Sequence, residues 1–179
     1  MLQQIQAVPL TAAEFAPFGD VLDCMGDPDK LINAGLCGRY HDRAQLDFED
    51  GTAGISLFNA TPRALPYTLD LLERHPQGSQ AFIPMSQHPF LVCVAPDMGG
   101  TPGRPLAFVT APGQAINFHK GTWHGVLTPL HAPGLFAVVD RIGTGANLEE
   151  VKLDPPYLVT APSRHRSGAQ ADGSERPLG

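Results

Sequence analysis

Gly113-Gln114-Ala115-Ile116-Asn117-Phe118-His119-Lys120-Gly121-Thr122-Trp123-His124 reads as a strand, a tight turn and the start of a second strand. Ala115–Phe118 is short and apolar, and Gly113 and Gly121 stand where the chain must bend sharply, which glycine does at little steric cost. Side chains alternate along the strand that leaves the turn, so His124 is expected to aim into whatever the strands enclose. Further strand candidates flank this segment: Gly19–Leu22, Gly54–Asn59, Ser79–Ile83, Pro89–Ala95, Leu106–Thr110 and Leu135–Asp140. Pro/Gly clusters such as Pro102-Gly103 and Pro112-Gly113 separate them. Leu65–Arg74 suits either a strand or a helical turn, and a strand is preferred. Roughly seven to nine short strands imply an all-β barrel or jelly roll. Thr11-Ala12-Ala13-Glu14 forms a capping box that predicts a short N-terminal helix through about Phe15.

The chain has 179 residues, enough for one domain with a substantial core, with or without a tail. Its 19 glycines and 18 prolines suit turns better than long helices. The formal charge is −6 and no lysine or arginine run occurs, which argues against a nucleic-acid partner. An anionic substrate must then be met by a few local arginines or backbone N–H groups. No stretch approaches the apolar length of a membrane span, and Met1–Gly19 lacks the pattern of a secretory signal. Cys24, Cys37 and Cys93 are odd in number, widely spaced and without a C-x-x-C pair. They read as buried, reduced thiols of a cytoplasmic protein.

Composition changes after Leu153. Residues 154–179 carry four prolines, three arginines and few large apolar side chains, so the expected organisation is a barrel over 1–153 and a tail over 154–179. Pro155–Val159 is apolar enough to dock on the barrel or on a second subunit.

The opening segment is similar to the second cupin motif, G-x5-P-x-G-x2-H-x3-N, with Gly113, Gly121 and His124 in register. His119 stands at the usual proline and Thr128 at the usual asparagine. Glu73-Arg74-His75-Pro76-Gln77-Gly78-Ser79-Gln80 occupies the place of the first motif, H-x-H-x3–4-E-x6-G. There Glu73 replaces the first histidine, His75 matches the second, Gln80 replaces the glutamate and Gln87 the late glycine. Longer blocks are more specific: Glu73 to Pro84, Asn117 to His124, Val138 to Val151, Phe15 to Val21, Ile32 to Gly35 and Arg39 to Asp42 resemble those of ureidoglycolate lyases over about residues 8–153. The family often has tyrosine where Phe118 stands, and a further histidine and proline where Gly125-Val126 stand. The resemblance implies a cupin-type double-stranded β-helix (a jelly-roll barrel). It also implies a homodimer, and cleavage of ureidoglycolate to glyoxylate and urea in the degradation of purines through allantoin.

That reaction removes urea from a carbon that also bears a hydroxyl and a carboxylate. It needs a base near the hydroxyl, an acid near the departing nitrogen and a clamp on the carboxylate. His124 is the first candidate base, since histidine titrates near neutrality. His75 is expected to share the acid–base work or to orient His124, and His119 to line the pocket or fix the turn. Gln80 and Asn117 are amides suited to the urea group. Glu73 belongs to the same inward set. Arg39, Arg74 and Arg141 are the candidate carboxylate clamps, although alternation turns Arg74 away from Glu73 and His75. One of Asp140 and Arg141 should face inward; the alternative is a structural ion pair with other strands. Glu149-Glu150 and Asp47–Asp50 read as solvated, and His88, His131 and His165 receive no role.

No cofactor is expected to be essential. If a divalent ion such as nickel or zinc binds loosely, Glu73, His75, Gln80 and His124 are its ligands. The competing readings are a metal-dependent cupin isomerase or dioxygenase using Glu73, His75 and His124, and a non-enzymatic cupin that binds a small acid.

Overall fold

The computed structural model describes residues 3–162. Among the described residues the regular structure is β except for one four-residue helix, and the strands form a jelly-roll barrel of the cupin type. One sheet runs in the order Gln3–Gln6, Glu149–Thr160, Tyr67–Arg74, Trp123–His124, Phe90–Ala95, Leu106–Val109 and Val8–Pro9, with Thr128–Pro129 also paired to Phe90–Ala95. The facing sheet runs Gly19–Leu22, Ala115–Phe118, Gln80–Pro84, Leu135–Ile142 and Thr52–Asn59. Lys30–Ile32 and Cys37–Arg39 make a separate two-stranded hairpin.

Alternation sorts the side chains. Phe82, Ile116, Phe118, Phe136 and Val138 of the five-stranded sheet meet Phe90, Val92, Val94 and Phe108 of the other in the barrel core. Phe15 is fully buried there, placed by the helix Ala12–Phe15, whose first turn is capped by the Thr11 hydroxyl accepting from the Glu14 N–H. Phe90–Ala95 is buried along its whole length because its other face also has cover. Leu91, Cys93 and Ala95 pack there with Trp123, Leu69, Leu72, Ile5 and Val159.

Several expectations are corrected. The last strand, Glu149–Thr160, passes through the composition change at Leu153. Tyr157, Leu158 and Val159 pair with Leu69, Thr68 and Tyr67 on one side and with the Gln3–Gln6 strand on the other. Prolines are tolerated there because the register shifts between Lys152 and Tyr157, leaving Pro155 and Pro156 outside the ladder. The barrel therefore takes in residues up to 160, and the rest of the expected tail, with His165, lies outside the described residues. Cys93 is buried, but Cys24 and Cys37 are exposed, since one follows the end of a strand and the other sits in the hairpin. The described strands outnumber the seven to nine expected, because two-residue pairs such as Trp123–His124 leave no periodic signature.

Candidate active site

At one end of the barrel the two sheets bring polar residues together. His119 N–H bonds to the Phe18 carbonyl, and Gly121, at φ +77°, turns the chain so that its N–H reaches the His75 carbonyl. The following residues split by alternation. Trp123 faces the outer cluster, with its Nε1–H on Asp97 and the Arg74 guanidinium 4.5 Å from its ring. His124 faces inward, directly across from Glu73 on the neighbouring strand.

His124 is 1% exposed. Its ring lies flat on Phe118 from the opposite sheet, with centroids 4.2 Å apart and planes within 6°. Its Nδ1 is 3.0 Å from the Gly125 carbonyl oxygen, which can only accept, so Nδ1 carries the proton and Nε2 is a bare lone pair without a partner. Burial pushes its pKa down to about 3, with the Gly125 contact opposing and repulsion from the neighbouring His75 imidazole adding to the fall, so the ring is neutral. Glu73 Oε1 is 3.9 Å from Nδ1, and desolvation raises the Glu73 pKa.

His75 follows two residues after Glu73, its ring 5.4 Å from that of His124. Its Nδ1 donates to the Asn147 carbonyl over 2.7 Å. From the facing sheet come Gln80, paired in register with Phe118, and Asp140, one step beyond the Val139–Ala81 pair. Burial raises the Asp140 pKa, and the Gln80 amide and His75 partly offset this. Gln80 Oε1 and Asp140 Oδ1 are buried and unpartnered, as is Gln77 Oε1 close by. A desolvated acceptor without a donor costs about 1–3 kcal/mol. Such a concentration at one place is the mark of a site built to receive something.

Glu73, His75 and His124 each offer one ligand atom, and these lie within 4.8 Å of one another. Both imidazoles are held with Nδ1 protonated, so the donor set fits a divalent metal ion. Gln80 is not part of that triad.

Other expected residues fall elsewhere. Asn117 is fully buried on the opposite face of its strand from Phe118, its amide nitrogen on the Asp20 carboxylate and the Gln45 carbonyl. His119 sits beside it, 3.3 Å from Asp20. Alternation was sound for this pair, but the face they share is the outer one. Arg141 is buried, its guanidinium on the Phe48 carbonyl, the Asp50 carboxylate and the Thr144 carbonyl, so it joins two loops. Arg74 is bound to Asp97 and Glu149. Arg39 lies exposed on the hairpin against His41. Asp47 and Glu49, read as solvated, hold Lys120. Asn147 and Gln77 were missed in the sequence, since loop residues seventy positions apart leave no joint signal there.

The sequence profile described as ureidoglycolate lyase matches residues 2–160 of this chain. The chain is 61% identical over 159 residues to a ureidoglycolate lyase of Rhodobacter capsulatus, covering 88% of this chain and 99% of that one. It is 51% identical to ureidoglycolate lyase 2 of Rhizobium meliloti, over 84% of this chain and 94% of that one. Identity to the ureidoglycolate lyase of Mesorhizobium japonicum is 50%, over 90% of this chain and all of its counterpart. A chain that gathers two neighbouring imidazoles, a raised-pKa carboxyl and unpartnered acceptors in its barrel, and that matches these proteins almost end to end, belongs to the ureidoglycolate lyase family of enzymes.

Proposed function

We propose that this enzyme cleaves ureidoglycolate to glyoxylate and urea by proton transfer between the interior residues. The observation that carries the reading is the set of buried, unpartnered acceptors on the inward residues: His124 Nε2, Gln80 Oε1 and Asp140 Oδ1. A ureido group is rich in N–H donors and the adjoining carbinol adds an O–H, so the substrate supplies what these atoms lack. His124 Nε2 takes the hydroxyl proton, the carbon–oxygen double bond forms, and the carbon–nitrogen bond breaks. Glu73, whose hold on a proton burial strengthens, gives a proton to the departing urea nitrogen. The pair thereby passes from neutral to ionised, and the two charges formed across adjacent strands stabilise each other. Gln80 and Asp140 orient the urea, while Phe118 fixes the plane of the His124 ring.

Arg74 and Arg141 are bound to acidic partners and Arg39 lies exposed on the hairpin, so the carboxylate clamp is assigned to none of the three. A nickel or zinc ion bound by Glu73, His75 and His124 would supply positive charge at the site, in place of a guanidinium. We hold the metal-free acid–base groups to be the essential machinery, since an ion on His124 and Glu73 would take up the lone pair and the carboxyl that the proton transfers use. The test follows glyoxylate release from ureidoglycolate above the spontaneous background, before and after chelation confirmed by elemental analysis. Release that survives stripping is expected. No release above background rejects the function, whereas loss reversed by one particular ion makes the metal essential.

We also infer that two copies associate, and that the enzyme works in the cytoplasm, which its three free thiols suit. Support for the dimer comes from the outer face of the five-stranded sheet. Its edge strand, Thr52–Asn59, carries no charge, and Leu57, Ala137 and Ile83 align across three strands, with Ile55 and Val139 beside them. Ile55 is 78% and Leu57 68% exposed in the single chain. A long, uncharged apolar edge left open invites pairing, which a second copy satisfies.

A further inference from the structure

Asn147, in the loop between Leu135–Ile142 and Glu149–Thr160, reaches the site. Asn147 accepts twice from the segment that carries His75: its backbone carbonyl takes the His75 Nδ1–H at 2.7 Å, and its side-chain Oδ1 takes the Gln77 N–H at 2.8 Å. The two bonds straddle Pro76, which has no N–H of its own. At the near end of the same loop, the Thr144 carbonyl is held by Arg141, whose Nε also bonds the Phe48 carbonyl. The far side of the His75 segment is tied by its own carbonyl to the Gly121 N–H, in the turn leading to His124.

We infer that Asn147 is a positioning residue that sets the tautomer of His75. A neutral imidazole carries its single ring proton on either nitrogen, and the two forms differ little in free energy in water. A carbonyl 2.7 Å from Nδ1 decides between them, since it accepts a proton donor and repels a lone pair. The Gly125 carbonyl makes the same choice for His124. In both rings Nε2 is therefore left as the bare acceptor. Were His75 in the opposite form, an N–H would stand where a lone pair must accept, and one ligand of the triad would be lost. The Asn147 side chain enters because its bond to Gln77 keeps its own carbonyl at the required place.

This inference rests on the acid–base reading of the site, but its test reads the tautomer directly. Long-range proton–nitrogen correlation spectra of the full-length, 15N-labelled chain, with chelator present, distinguish the Nδ1–H from the Nε2–H form of His75. The expected result is the Nδ1–H form in the unmodified protein and a mixture in Asn147→Ala. Asn147→Asp keeps an acceptor for the Gln77 N–H and is expected to restore the single form. Turnover of ureidoglycolate should fall in Asn147→Ala by about tenfold in kcat, the scale of a misplaced acid–base group, with KM little changed, and recover in Asn147→Asp. An Nε2–H form in the unmodified protein overturns the inference. So does a single Nδ1–H form with unaltered kcat in Asn147→Ala. The expected tautomers in a protein that releases no glyoxylate would instead uphold it while rejecting the proposed activity.

Discussion

His124 combines three properties that rarely meet in one histidine: full burial, a committed Nδ1 and an unpartnered Nε2. Removing it, as in His124→Gln, or removing its neighbour, as in His75→Ala, should lower turnover by about 10²–10⁴-fold without loss of the barrel. Unchanged turnover in both variants, with the strand signal intact by circular dichroism, refutes the assignment. The same burial has a consequence for stability. The folded-state pKa of about 3 lies below the ordinary value of 6.5. Above pH 6.5 neither state binds the proton and there is no penalty. As pH falls below 6.5 the unfolded chain protonates first and stability drops by about 1.4 kcal/mol per unit, until the folded pKa is reached. His124→Gln should flatten that part of the urea-denaturation profile. An identical slope between pH 6.5 and 5 in the two proteins would show that His124 is charged when folded.

At the scale of the element, the strand Glu149–Thr160 matters most, because it joins the amino terminus to the site. Its first half pairs with the end of Tyr67–Arg74 that carries Glu73, and its second half holds Gln3–Gln6 in parallel. Val159 is completely buried and Tyr157 packs on the same cluster. Ending the chain after Leu153 removes both, a loss of roughly 3–6 kcal/mol from side-chain burial alone, against the 5–15 kcal/mol that holds a typical domain. The shortened protein should show a much lower urea midpoint than the full chain. An unchanged midpoint would mean that the second half of the strand contributes nothing to the fold. Only the loop chemistry of this region was legible beforehand: Asp154-Pro155-Pro156 does break the ladder, but strand resumes at once, because a bulge absorbs prolines that an unbroken ladder cannot.

For the whole molecule, the exposed row Ile55, Leu57 and Ile83 sets the expectation. Uncharged and exposed, it resembles a face that an assembly buries more than one a monomer keeps wet. Sedimentation of the full chain at micromolar concentration should give twice the mass of 19.1 kDa. Ile55→Glu combined with Leu57→Glu should give the single mass, because each copy would then desolvate charges against its partner. A monomer before substitution rejects the dimer, and a dimer that persists after it moves the interface to another face.

The sequence by itself determined the barrel, the turn at Gly121 and the inward aim of His124, because each depends on local chemistry: apolar alternation, a left-handed glycine and the two-residue period of a strand. The matching of Glu73, His75 and Gln80 to the first cupin motif was legible for the same reason, since fixed spacing on one strand and its turn survives folding unchanged. Tertiary structure decided the rest. Which face Asn117 and His119 share depends on where the Gln45 and Asp20 segments cross, far away in sequence. Arg141 could have clamped a substrate until the loops at Phe48 and Thr144 closed on it. The tautomers of His75 and His124 were equally open, because a ring nitrogen takes its role from the group opposite, and for His75 that group is brought there only by the complete fold.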